Sequence, residues 1–168
     1  MIISLIAALD ENRLIGNKNM IPWHIKDDLL HFKNLTLHHT VIMGRTTFDS
    51  LLGYYKKSGR PLPERKNIIV SRDMQYVSNL SDTFVTHTIE EALELAKTVE
   101  KEEVFVSGGA SIFKQTIAKA DRLHLTLVHG KYTGDTYFPD YSEFKKVIGK
   151  ENKVSPDGVA YTFLGLER

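Results

Sequence analysis

The chain has 168 residues, 42% of them hydrophobic and 26% charged, with a formal net charge of +1 and no cysteine. That length suits one domain able to bury roughly 70% of its unfolded surface. Without thiols there is neither a disulfide nor a thiolate metal site, and near-balanced, interspersed charges leave no footprint for nucleic acid or an anionic membrane; a small molecule is the expected partner of what reads as a cytoplasmic monomer.

The N-terminal run MIISLIAAL lacks a basic lead, and no stretch of the chain reaches about 18 apolar residues. Ile2 to Leu9, ended by Asp10-Glu11-Asn12, instead suits a central strand covered on both faces. Ala7 and Ala8 keep that strand thin, which suits either a flat ligand ring or simple packing against a helix. The loop from Asp10 to Trp23, with Gly16 and Asn17-Lys18-Asn19, is long for a compact domain, and such loops are often functional.

The next segment, Ile21 to Lys33, places a carboxylate where apolar side chains belong. With successive residues turned by about 100°, Ile25, Leu29, Phe32 and Leu35 form one stripe, and Asp28 falls inside it, whereas Asp27 points away beside His31 and Asn34. Burying a charge is costly unless something pairs with it, and neither Lys26 nor Lys33 is well placed to do so. Two readings stand: Asp28 caps the first turn, where carboxylates favour the helix N-terminus, or its partner is a ligand. Pro22 fixes the approach to the helix, and Trp23 supplies a large ring ahead of Asp28, a poorly hydrated setting that raises a carboxyl pKa. The helix is expected over about Ile25 to Leu35, followed by a strand over Thr40 to Gly44.

Three strands then end in small or polar residues with a possible anion binder: VIMG before Arg45-Thr46-Thr47, NIIV before Ser71-Arg72, and VFV before Ser107-Gly108-Gly109-Ala110-Ser111. The first and third run into helical patterns, so backbone N–H groups and the helix dipole would face a phosphate. Open α/β sheets bind ligands outside the carboxyl ends of their strands. There is no GxGxxG and no GxxxxGK[ST], so neither nucleotide fingerprint applies. Between the first two strand ends, Leu51 to Lys66 reads as a basic loop. Thr88 and Glu91 form a capping-box signature for a helix over about Ile89 to Glu100. A helix over Ala110 to Ala118, a strand over Arg122 to His129, a turn-rich loop from Gly130 to Asp140, and a hairpin of Phe144 to Asn152 with Val159 to Leu166 complete the chain. The expected fold is α/β, a mostly parallel twisted sheet with helices on both faces and an antiparallel C-terminal edge. No HExxH or other ligand-spaced pair occurs among the seven histidines, so no metal is expected, and no GxSxG offers a nucleophile.

Pro22-Trp23, with Asp28 five residues after the tryptophan and Phe32 four later, resembles the substrate site of the dihydrofolate reductase family, bacterial chromosomal type. ISLIAAL, GN then IPW, VIMGRTTF, GRPLPERKNIIVSR, VFVSGGASIF, LHLT and GDTYFPDY are similar to that family's segments, in its order, over nearly the whole chain. The resemblance implies reduction of 7,8-dihydrofolate by NADPH, with a dihydrofolate reductase-like fold. It implies catalytic roles for Asp28, Trp23 and Ile21. Substrate contacts would come from Ile6, Ala8, Leu29, Phe32, Thr47, Leu51, Leu62, Phe113 and Thr126, the last bonded to Asp28, with Arg65 for the substrate's glutamate. NADPH would be held by Ala8, Ile15, Gly16, Gly44, Arg45, Thr46, Thr47, Ser71, Arg72, Ser107, Gly108, Gly109, Ala110, Ser111 and Ile112. A lid from Asn12 to Ile21 would close against the loop around Asp135. Phe113 stands where many members carry tyrosine, Ser107 where an apolar residue is common, and Leu52 to Ser58 looks like an insertion. The rivals are the NADPH-dependent reductase of riboflavin synthesis, against which Trp23 with Asp28 argues, and a non-catalytic nucleotide-binding module.

Overall fold

Alternation along the strands assigns apolar side chains to two faces of one sheet. Ile42, Ile68, Val104 and Val106 pack with Leu5, Leu9 and the helix residues Ile89, Ala92 and Ala96 on one side, while Val41, Met43, Ile69 and Phe105 pack with Ile6 and Phe48 on the other. Strands buried on both faces read as continuous apolar runs. The structure, a computed structural model, describes residues 1–58 and 64–168, with side chains for all of these except 55–58.

The strands are β1 (Ile2–Asp10), β2 (Leu14–Gly16), β3 (Thr40–Gly44), β4 (Lys66–Val70), β5 (Thr83–Thr86), β6 (Glu103–Val106), β7 (Arg122–Val128), β8 (Thr136–Tyr137), β9 (Lys146–Val154) and β10 (Ala160–Glu167); the helices are α1 (Lys26–Thr36), α2 (Arg45–Ser58), α3 (Ile89–Val99) and α4 (Ala110–Thr116). The main sheet runs in the order β5-β4-β3-β6-β1-β7-β10-β9, with β2 and β8 forming a separate pair. Strands β5 through β7 are parallel, and β10 and β9 join antiparallel. The expected α/β fold with an antiparallel C-terminal edge is the one observed.

Several boundaries differ from expectation. The stretch read as a basic loop from Leu51 begins instead as the second half of α2, which runs to Ser58; Leu51 and Leu52 continue the apolar face of that helix onto the core, and this outweighs Gly53 and the lysines. The last helical turn before β7 tightens into a 3-10 turn, Ile117–Lys119. The terminal hairpin is shifted toward the C-terminus, and Phe144, expected in its first strand, is buried ahead of it. The capping box forms with a variation: Glu91 N–H donates to Thr88 Oγ1 at 3.1 Å, and the Glu91 carboxylate accepts from His87 N–H at 2.8 Å.

Candidate active site

The start of helix α1 meets the carboxyl ends of β1 and β7, Ile25 clustering with Ala8 and Val128, and this contact sets Asp28. Its N-cap, Ile25, is 3% exposed and offers no capping side chain, so hydrophobic anchoring with Trp23, Val128, Tyr161 and Phe163 fixes the first turn. Asp28 does not cap. Its Oδ1 accepts a hydrogen bond from Thr126 Oγ1 at 2.6 Å, across to β7. Among the described residues no cation forms an ion pair with it. One turn on, His31 stacks on Phe163, and burial, with His124 adding, holds its pKa below the ordinary value, so it brings no charge at neutral pH. Burial pushes the Asp28 carboxyl above the usual carboxylate range, and the Thr126 hydrogen bond offsets only part of that.

The register fixes what lies beneath Asp28. Ala8 is paired with Thr126 and Ile6 with His124, so Ile6, Ala8 and Thr126 share the face that α1 covers. Leu29, Phe32, Thr47 and Leu51 are half-buried, and Phe32 and Leu51 pack against the cluster that holds Ile6. Arg65 is 5% exposed, with its guanidinium 5.1 Å from the Phe32 ring centre. Trp23 meets Tyr132 edge-on at 5.1 Å, and its buried Nε1 has no described partner. Ser107 Oγ is likewise buried without a described partner. Phe113 is 3% exposed, its ring tilted against Phe138 with the ring centres 4.8 Å apart, and it leaves no room for a Cβ at Gly108, whose φ is +102°. Leu62 lies outside the described residues.

The strand ends meet as neighbours in the sheet. Gly44 N–H donates to Gly108 O at 2.7 Å, and a Cβ at Gly109 would stand 3.5 Å from Thr47 Oγ1. Around them stand the first N–H groups of α2, which lack intrahelical acceptors, the exposed Thr46 and Ser111, and the exposed Arg45 and Arg72. Neighbouring Ile112 and Ser71 are buried, Ile112 packing on Gly44. This mixture of backbone donors, hydroxyls and guanidiniums fits the phosphates of NADPH.

The segment from Asn12 to Ile21 folds as a short hairpin beside this cleft. Lys18 and Asn19, both with positive φ, make its turn, and Asn17 bridges Met20. Gly16 itself pairs with Thr136, and Ile15 is half-buried against the core. Asp135 takes the hairpin at two points: its Oδ2 accepts from Lys18 N–H at 3.1 Å, and its own N–H donates to Gly16 O at 3.1 Å. Met20 and Ile21 are exposed, at 71% and 56%.

The bonds of three carboxylates escaped the sequence reading. Asp10, 2% exposed, accepts from Asn12 and Leu14 N–H and from Tyr132 N–H, tying the hairpin's base to the loop after β7; an acid closing an apolar strand was its signal. Asp27, expected off the apolar stripe, accepts from Tyr161 O–H at 2.8 Å, a partner the helical wheel did not show. Asp73 pairs with Arg45, and its place directly after Arg72 was visible.

Comparison with known proteins agrees over the full length. A family model described as dihydrofolate reductase matches residues 2–168. Dihydrofolate reductase type 3 of Salmonella typhimurium is 45% identical over 141 residues, covering 84% of this chain and 80% of that protein. Dihydrofolate reductase of Staphylococcus aureus is 36% identical over 171 residues, covering 100% and 99%. A solved structure of dihydrofolate reductase from Enterococcus faecalis, complexed with NADP(H) and RAB-propyl, superposes with a TM-score of 0.84 at 30% identity, covering 99% of this chain and 96% of that one. With a match of this extent around a carboxylate set in an apolar cleft, the chain belongs to the dihydrofolate reductase family.

Proposed function

We propose that Asp28 is the group on which the chemistry of this NADPH-dependent dihydrofolate reductase turns. The reaction converts 7,8-dihydrofolate to 5,6,7,8-tetrahydrofolate, the form that carries one-carbon units. NADPH supplies the hydride when bound. Asp28 holds the pterin by its amino group and neighbouring ring N–H, donors that match two carboxylate oxygens. Thr126 keeps that carboxylate turned toward the cleft. The negative charge raises the tendency of the ring nitrogen beside the reduced carbon to hold a proton, and Trp23, through its free Nε1–H, steadies a water on that side. Ile6, Ala8, Leu29, Phe32, Thr47 and Leu51 flank the ring, and Arg65 takes a carboxylate of the glutamate tail. The observation that carries this reading is the half-buried Asp28, bonded to Thr126 and, among the described residues, without a cation.

The chain acts as one domain and as a monomer in the cytoplasm, without nucleic acid. Its net charge of +1 offers no basic face, no described helix is long and apolar enough to cross a membrane, and the β9 edge carries Lys146, Lys150 and Lys153, which discourage edge pairing. Following NADPH absorbance with dihydrofolate tests the activity, and light scattering tests the monomer. Oxidation of NADPH with the ribosylaminopyrimidine of riboflavin synthesis but not with dihydrofolate would favour the rival reductase, and binding without turnover would favour a non-catalytic module.

A further inference from the structure

Arg45 begins α2 at the end of β3, and Arg72-Asp73 follow β4, whose Val70 is paired with Gly44. The two arginines are unequal. Arg72 is exposed and forms no ion pair among the described residues. Arg45 is engaged on three sides: Nη1 lies 3.1 Å from Asp73 Oδ2, Nε lies 3.6 Å from Asp49 Oδ2, and the guanidinium stands 4.5 Å over the Tyr76 ring. Asp73 is a built partner. Its N–H donates to Ser71 Oγ at 3.2 Å, its Oδ1 accepts from Gln75 N–H at 3.0 Å, and its carbonyl accepts from Tyr76 N–H at 3.1 Å, so the turn it organises aims Oδ2 at Arg45.

A ribose phosphate arriving at Arg45 shares the guanidinium with that oxygen and meets the carboxylate's charge, whereas a cofactor lacking the phosphate meets no such competition. We propose that Asp73 is a specificity-determining residue, an internal anion that competes with the ribose phosphate of NADPH for Arg45 and so reduces the enzyme's preference for NADPH over NADH. The proposal rests on the reading that Arg45 and Arg72 hold that phosphate.

Asp73→Asn removes the charge and keeps the Oδ1 acceptor for Gln75. Titrating the fluorescence of Trp23, the one tryptophan, with NADPH and with NADH gives dissociation constants independent of turnover. Asp73→Asn should bind NADPH roughly 2- to 5-fold more tightly, the scale of one partly exposed charge pair, with NADH nearly unchanged and the gain shrinking as salt rises. In an Arg45→Met background the same substitution should gain clearly less. Unchanged or weaker NADPH binding in Asp73→Asn, an equal gain for both cofactors, or an undiminished gain in the Arg45→Met background overturns the proposal. Arg45→Met and Arg72→Ala separate the two failures. If these lose preference for NADPH while Asp73→Asn gains nothing, only the competition is wrong; if both retain it, the phosphate-site reading falls and the proposal with it.

Discussion

At Asp28, charge and shape can be separated by one exchange, because asparagine fills nearly the same space and keeps an oxygen for Thr126 Oγ1, 2.6 Å away in the parent. The carboxyl's pKa is raised by burial, so folding disfavours its charged form. Below the ordinary carboxylate range Asp28 is protonated folded and unfolded, and no penalty exists; as pH rises through the raised pKa the parent loses stability. Asp28→Asn should therefore melt above the parent at pH 7, and the gap should close on acidification toward about pH 4. Activity moves the other way. At neutral pH kcat/KM should fall by about 10² to 10⁴, the range for losing a positioned acid or base. Toward acid the variant should recover as protonated substrate becomes available, while the parent's profile levels off. Asp27→Asn is the companion: an amide still accepts from Tyr161 O–H, so its activity should fall much less. Equal activities in the two variants would show that the catalytic carboxylate is misassigned.

At the scale of elements, the hairpin from Asn12 to Ile21 is held by groups that single substitutions can release. Asp135 carries the contact with Lys18 N–H, and its pKa is lowered first by the Thr136 hydroxyl and then by that N–H. A depressed pKa means that the latch persists at neutral pH and is lost only as pH falls through it. Asp135→Ala should slow single-turnover hydride transfer with the melting temperature nearly unchanged, because a loosened lid admits water. Gly134→Ala should do the same sterically, since its Cβ would stand 2.5 Å from Gly16 O. An unchanged single-turnover rate in both variants would remove any gating role. The long elements were legible because α1, α3 and the core strands combine period, length and punctuation. Strands β2, β5 and β8 have four residues or fewer, too few to show a period. Partners were harder still: Thr126 lies 98 residues from Asp28, and Tyr132 lies 122 from Asp10. The Asp28–Thr126 bond was expected only from resemblance, and the Asp10–Tyr132 bond not at all.

Across the whole molecule, the proposed site draws on the carboxyl ends of β1, β3, β4, β6 and β7, so a ligand there would contact both halves of the sheet at once. The apolar clusters on the two faces share those strands, and a sheet packed on both sides should unfold as one unit. Trp23 fluorescence reports the α1 end and far-ultraviolet circular dichroism the whole sheet; their melting curves should coincide, and two separated transitions would argue against a single domain. Binding to the folded state then raises the midpoint for the entire chain. At a concentration about 100 times Kd a ligand adds about 2.7 kcal/mol, which for a chain of this size shifts Tm by roughly 5 to 11 °C. NADPH should produce a shift of that order. NADH at equal concentration should produce a smaller one, because it lacks the phosphate that the exposed Arg72 is free to meet. In Arg72→Ala the NADPH shift should drop toward the NADH value while the ligand-free Tm stays within about 1 °C, as for an exposed side chain with no ion pair among the described residues. Equal shifts for the two cofactors in the parent, at moderate salt, would show that the strand ends do not read the ribose phosphate.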